Sequence, residues 1–378
     1  MKDAFGISSF YDITFDGIQA WYVDQYHNIL EHTNLTTKET CVESVLPIFE
    51  DTKDLLNQYG NINMIGNTVC IAPRNSSRIL FYDKKNKSFE SALVEEEYLT
   101  EFGNMNIINT SFTYKDHVYL IPGLYKRIIK INIRTREIRY VDFEYDKVNL
   151  HITEPNRVIF ARNTIVENVA YISFWQGGFV LKINLSDDST EFVKVCDCTG
   201  LSGIAYHNKQ FSLALRDNPC VLKLDEDLRL EEKISIEEKA FGNLSGISHL
   251  IDSSDFVYLI PGFGDGIIRM SRNANNIKKI YDLPMEESEC IKTLWNPKCS
   301  VMCTKKISDE MALAYSVMDA KIVILNLKND EIRSFDAYVN DKNDRTRIKK
   351  YCHKFFYGKK DFCNEINEFG LEDFIRLL

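Results

Sequence analysis

Residues 118–132 read VYLIPGLYKRIIKIN, and residues 257–271 read VYLIPGFGDGIIRMS, 139 positions further on. Each stretch holds two apolar runs rich in Val, Ile and Tyr, parted by a short break that contains glycine. That composition reads as two β-strands joined by a tight loop. The same spacing recurs in VCIAPRNSSRILFYD (69–83), AYISFWQGGFVLKIN (170–184) and FSLALRDNPCVLKLD (211–225). With one inserted residue it recurs in IQAWYVDQYHNILEHT (18–33) and MALAYSVMDAKIVILN (311–326).

Seven copies start at 18, 69, 118, 170, 211, 257 and 311, with steps of 41 to 54 residues. This pitch matches four-stranded propeller blades, about 40–50 residues each. The third unit shows how a copy extends to four strands. SFTY (strand a) precedes a Lys115-Asp116 turn, HVYLI is strand b, RIIKIN strand c, and IRYVDF strand d after a polar turn. One such sheet cannot bury both of its faces alone, so neighbours must stack around an axis. The expected fold is all-β, a seven-bladed β-propeller. Six blades is the alternative, because the first and last units are degenerate.

In pitch and strand pattern the chain resembles the broad kelch and WD40 class of repeat propellers over residues 8–340. It has neither family's signature. Strand b ends in Leu-Ile-Pro-Gly rather than Gly-Gly, and no repeated Trp-Asp closes a blade. No functional residue is carried over from either family.

Beyond residue 341 the strand pattern stops. Ile348, Cys352, Phe355 and Phe356 fall at helical spacing, and a second amphipathic run, LEDFIRLL, closes the chain. The expected organisation is a propeller over 1–341 and a helical tail over 342–378. Phe355, Phe356, Phe362, Phe374 and Leu377 are the expected docking residues, because a free amphipathic tail would expose a large apolar patch. The tail also offers a surface for oligomerisation.

The chain has 378 residues, of which 44% are hydrophobic and 27% charged, and a net charge of −9. That charge argues against a general nucleic-acid binder, which needs excess Lys and Arg to displace counterions. No run approaches 18 apolar residues, so no membrane association is expected. MKDAFGISSFYDITF lacks the apolar core of a secretory signal. Ten scattered cysteines suit a reduced, cytoplasmic protein. The closest pair, Cys196 and Cys198, has no second pair to complete a four-ligand zinc site, so neither a metal site nor a structural disulfide is expected. Nor does any cofactor motif occur. GFGDG (262–266) lacks the strand–GxGxxG–helix context of a phosphate cradle.

Function is read from the loops. Because the four strands run up and down, the b–c loops share a face with the loops that join blades. Propeller ligands sit on one face at the channel mouth. The b–c loops supply Arg74, Tyr125, Arg127, Trp175 and Arg216 from four consecutive units, with Tyr26 nearby and Trp295 in a joining loop. Arg offers a planar fork for carboxylate or phosphate oxygens, and Trp and Tyr offer rigid contact area. These five are the candidate ligand-binding residues. The expected function is binding of a peptide, a protein or an acidic glycan. The alternative is a propeller lyase or hydrolase acting on a carbohydrate or modified peptide. His207 and His249, on adjacent units, could converge to serve such an enzyme. No catalytic residue is assigned.

Overall fold

Twenty-eight strands form seven four-stranded antiparallel sheets, each built from four consecutive strands. The computed structural model describes residues 6–25, 27–49, 57–101, 103, 106–152, 159–236, 246–284 and 301–355. The blades cover 14–45, 59–93, 108–141, 160–194, 201–235, 246–282 and 301–336. The fold is the seven-bladed β-propeller expected from the repeat.

Blade 3 shows why the apolar runs are continuous rather than alternating. Its strands are Ile108–Tyr114 (a), His117–Pro122 (b), Ile128–Asn132 (c) and Ile138–Val141 (d). In strand b, Val118 and Leu120 pack towards blade 2, while Tyr119 and Ile121 pack towards blade 4. A strand with a neighbouring sheet on both faces must be apolar at every position. Seven such clusters lie between successive blades and constitute the core.

Pro122 ends the run where the ladder no longer needs its N–H. Pairing with strand c stops at Leu120, and the register with strand a shifts between Ile121 and Pro122. The next residue, Gly123, is required by close approach. A Cβ there would stand 2.1 Å from the carbonyl oxygen of Asn106.

Five of the seven c–d turns share one device. Strand c closes on Asn34, Asp83, Asn132, Asn184 or Asn326, and in each the side-chain Oδ1 accepts the backbone N–H two residues on, at 2.8–3.0 Å. Each turn is completed by a residue with φ near +52° to +63°, namely Lys38, Lys87, Arg136, Asp188 and Asp330. Short polar side chains that mimic a turn's own hydrogen bonds favour this geometry.

The ring closes between blades 7 and 1 through the segment ahead of blade 1. Ser8 N donates to Ala337 O (3.0 Å) and Val339 N to Gly6 O (2.7 Å). The Phe10 ring lies between Tyr22 and Tyr315, 4.0 Å from each ring centre.

Besides a one-turn helix at Tyr145–Asn149 (α1), the chain forms α2 at Lys342–Phe355. Asp341 caps α2, its Oδ1 accepting from Asn343 N (2.6 Å) and Asp344 N (2.9 Å). Ile348, Tyr351 and Cys352 pack on Ile29 and Val42 of blade 1, and Tyr351 Oη donates to Leu46 O (2.9 Å). The side chain of Phe355, and Phe356, Phe362, Phe374 and Leu377, lie outside the described residues, as do Tyr26 and Trp295. No described helix is long and apolar enough to cross a membrane.

Candidate functional site

The a strands are innermost and neighbour one another around the axis. They enclose a cavity of about 250 Å³ lined from five blades and from the segment ahead of blade 1. The lining is polar: Asp12 ahead of blade 1, Thr110 and Ser111 of blade 3, Arg162 and Asn163 of blade 4, His249 and Asp252 of blade 6, Thr304, Lys305 and Lys306 of blade 7. Arg162 spans the space, its Nη2 donating to Met302 O on blade 7 (3.2 Å). Asn163 Nδ2 donates to Thr110 Oγ1 (3.1 Å). Asp252 is held by the Arg272 guanidinium and lies 3.4 Å from His207 Nδ1. Burial pushes its carboxyl above the usual range, against the pull of Arg272.

His249 is 3% exposed. Burial, and then the nearby Arg162 charge, hold its pKa well below that of an ordinary histidine, so the ring is neutral at pH 7. Nδ1 lies 2.7 Å from Ser248 Oγ, while Nε2 is buried with no hydrogen-bond partner among the described residues. His207 reaches Asp252 rather than His249, so the two histidines do not converge as a pair.

The five loop residues separate into different environments. Trp175 and Arg216 come together. The Arg216 guanidinium lies 5.8 Å from the indole centre, and its Nη1 donates to Trp175 O (3.1 Å). Arg216 also makes a two-point contact with Asp217, at 2.8 and 2.7 Å. Gly200 is passed so closely that a Cβ there would stand 2.0 Å from Trp175 O, which fixes this corner between blades 4 and 5. The indole is half-buried and its Nε1 has no acceptor among the described residues. Arg74 stacks on Tyr11, 3.6 Å from the ring centre, at the start of blade 1.

Two of the five stand apart from that corner. Tyr125 is completely buried. Its hydroxyl donates to Glu95 O (2.7 Å), and its ring packs by Tyr98 and Tyr140. Arg127 does not join the Trp175 corner. It pairs with Asp142 (3.4 Å) and lines a separate pocket with Tyr98, Tyr145 and Lys147.

Beside the Trp175 corner, Cys196 and Cys198 stand with Sγ atoms 3.3 Å apart. The hydrogen bond from Cys196, helped by Arg216, brings the Cys198 thiol down to about 7 while the Cys196 thiol is pushed up. No group of three or more His, Cys, Asp or Glu side chains suited to a metal ion occurs among the described residues.

The channel residues Arg162 and Lys305 were missed by reading loops alone. Their signal is in strand a. RNT (162–164), SH (248–249) and TKK (304–306) place polar residues midway along apolar strands, where the innermost strand meets the channel.

No protein-family model and no curated protein matches the sequence. The fold is similar to several solved structures. One is "Structure of U3-55K" (TM-score 0.56, 9% identity, 82% of this chain and 88% of that one). A chain of "Crystal Structure of Mitotic Checkpoint Complex" matches with TM-score 0.55 and 9% identity, over 89% of this chain and 88% of that one. Kluyveromyces lactis Hsv2 matches with TM-score 0.53 and 10% identity, over 86% of this chain and 98% of that one. At such identities the likeness shows the propeller fold and nothing finer.

Proposed function

We propose that this protein is a binding propeller whose b–c loop face holds a segment of a peptide or protein, anchored at Trp175. The observation that carries this reading is the corner itself. A half-buried indole is framed by Arg216, and its N–H lacks an acceptor. A buried donor left unpaired costs about 1–3 kcal/mol. A backbone carbonyl brought in by a partner, with a small shift of the 175–179 loop, relieves that cost. Trp and Arg are also the residue types that dominate binding energy at interfaces.

The charges refine the ligand class. Arg216 is answered by Asp217 and Arg127 by Asp142. This favours a peptide or protein segment over an acidic glycan, which would need those charges unanswered. Arg74, stacked on Tyr11, is the cation on this face that suits a carboxylate of the partner. The test is to select peptides on the native protein from a displayed library and measure their affinity for Trp175→Ala. A loss of about 2 kcal/mol, roughly thirtyfold, is expected. A glycan array probes the acidic-sugar alternative. Binding there, with no peptide selected, would overturn the choice of ligand class.

A further inference from the structure

We propose that the central channel is a second binding site, for a small tetrahedral oxyanion of the size and charge of a phosphate monoester. It is independent of the surface reading, because none of the loop residues lines the cavity.

Three observations carry it. Charge comes first. Arg162 and Lys305 border the cavity from blades 4 and 7, and Lys305 has no ion-pair partner among the described residues. The acids of the lining are already engaged. Asp12 accepts from Ile13 N (2.9 Å), Ile62 N (3.3 Å) and Asn61 Nδ2 (3.4 Å), and Asp252 is held by Arg272.

His249 is the second. It is buried in the cavity wall with Nε2 unpaired. Ser248 Oγ can give its proton to His249 Nδ1 (2.7 Å) or to Ile260 O (3.4 Å), and an anion selects the first arrangement, in which the neutral ring carries its hydrogen on Nε2 and presents a donor. A buried donor without a partner marks a place where an acceptor is missing.

Shape is the third. Arg162, His249 and Lys305 line the same cavity from three different blades. A tetrahedral anion turns an oxygen towards each, whereas a planar carboxylate does not. A cavity of about 250 Å³ is smaller than the roughly 300–1,000 Å³ of drug-sized sites, so the ligand is small.

The experiment is calorimetric titration of the full chain with inorganic phosphate, glycerol phosphate and acetate, with thermal melts in each. Saturable one-to-one binding of phosphate or glycerol phosphate, much stronger than acetate, is the expected result. Lys305→Met keeps the length and packing of a half-buried side chain that has no partner. It should melt like the native protein without anion, yet lose roughly tenfold or more in phosphate affinity, the scale of one charged hydrogen bond. Arg162→Lys, which keeps the charge but not the fork, should also weaken binding. Trp175→Ala should leave it unchanged. No saturable binding of either phosphate, acetate binding equally well, or Lys305→Met binding like the native protein would each overturn the proposal.

Discussion

Phe10→Ala tests how the ring is closed. Phe10 is fully buried between Tyr22 of blade 1 and Tyr315 of blade 7, with both ring centres at 4.0 Å. No strand of one terminus completes the sheet of the other, since every blade is made of consecutive strands. The seam is therefore held by side-chain packing, by contacts such as Tyr315 Oη to Ser8 O (2.8 Å), and by a few backbone bonds such as Ser8 N to Ala337 O. Removing a buried Phe costs about 3–5 kcal/mol through lost burial and the cavity left behind. Two stacked aromatic contacts are lost with it. At about 2.1 cal/mol/K per residue, the 378-residue chain has an unfolding entropy near 0.8 kcal/mol/K. A loss of about 4 kcal/mol then lowers Tm by roughly 5 °C. Phe10→Leu, which keeps most of the volume, should lose less than half of that. Urea denaturation gives the free energy and calorimetry the Tm. A Phe10→Ala protein within about 0.5 kcal/mol of native, the range of an ordinary surface change, would refute closure through this residue.

Three further outcomes follow from groups placed by the fold. Burial, and then the Asp24 charge, push the Glu31 carboxyl well above its ordinary value of 4.5. The folded state thus holds this proton more tightly than the unfolded chain, so the stability contribution is full below 4.5 and is lost as pH rises. Glu31→Gln should be more stable than native at pH 8, with the gap closing towards pH 4.5; a gap independent of pH would contradict this. Alkylation of Cys198 should show a midpoint near pH 7 rather than the ordinary value near 8.5, and Cys196→Ala should move it upward. Mass spectrometry of the 196–198 peptide reads this out, and a native midpoint at 8.5 would refute it. Tyr125→Phe should cost about 1 kcal/mol of stability by removing the shorter of the two hydrogen bonds that Glu95 O accepts, and leave peptide binding unchanged. A binding loss would restore Tyr125 to the ligand face.

The repeat in the apolar runs made the propeller legible before any coordinates. Each b–c pair must be apolar on both faces, and only stacked blades satisfy that seven times. The terminal Asn or Asp of strand c was visible in the same runs, as in IIKIN, because the c–d turn depends on its side chain. The site was less legible. Sequence places Tyr125 and Trp175 alike in b–c loops. Only packing shows that the first points into a cluster with Tyr98 and Tyr140, while the second stays half-exposed. Arg127 and Arg216 also look alike in sequence. Their separation comes from Asp142 and Asp217, which each draws towards its own blade. Channel residues such as His249 come together from strands far apart in the chain; each strand shows only its own polar break, and packing shows which of them meet.

The central claim is that a partner docks on the b–c loop face at Trp175. It is tested most directly by titrating one library-selected peptide against three proteins: native, Trp175→Ala, and Lys328→Ala. Lys328 is exposed in a c–d turn on the opposite face. The account predicts affinity about thirtyfold weaker for Trp175→Ala and unchanged for Lys328→Ala. Equal affinity for all three, or a loss confined to Lys328→Ala, would contradict it.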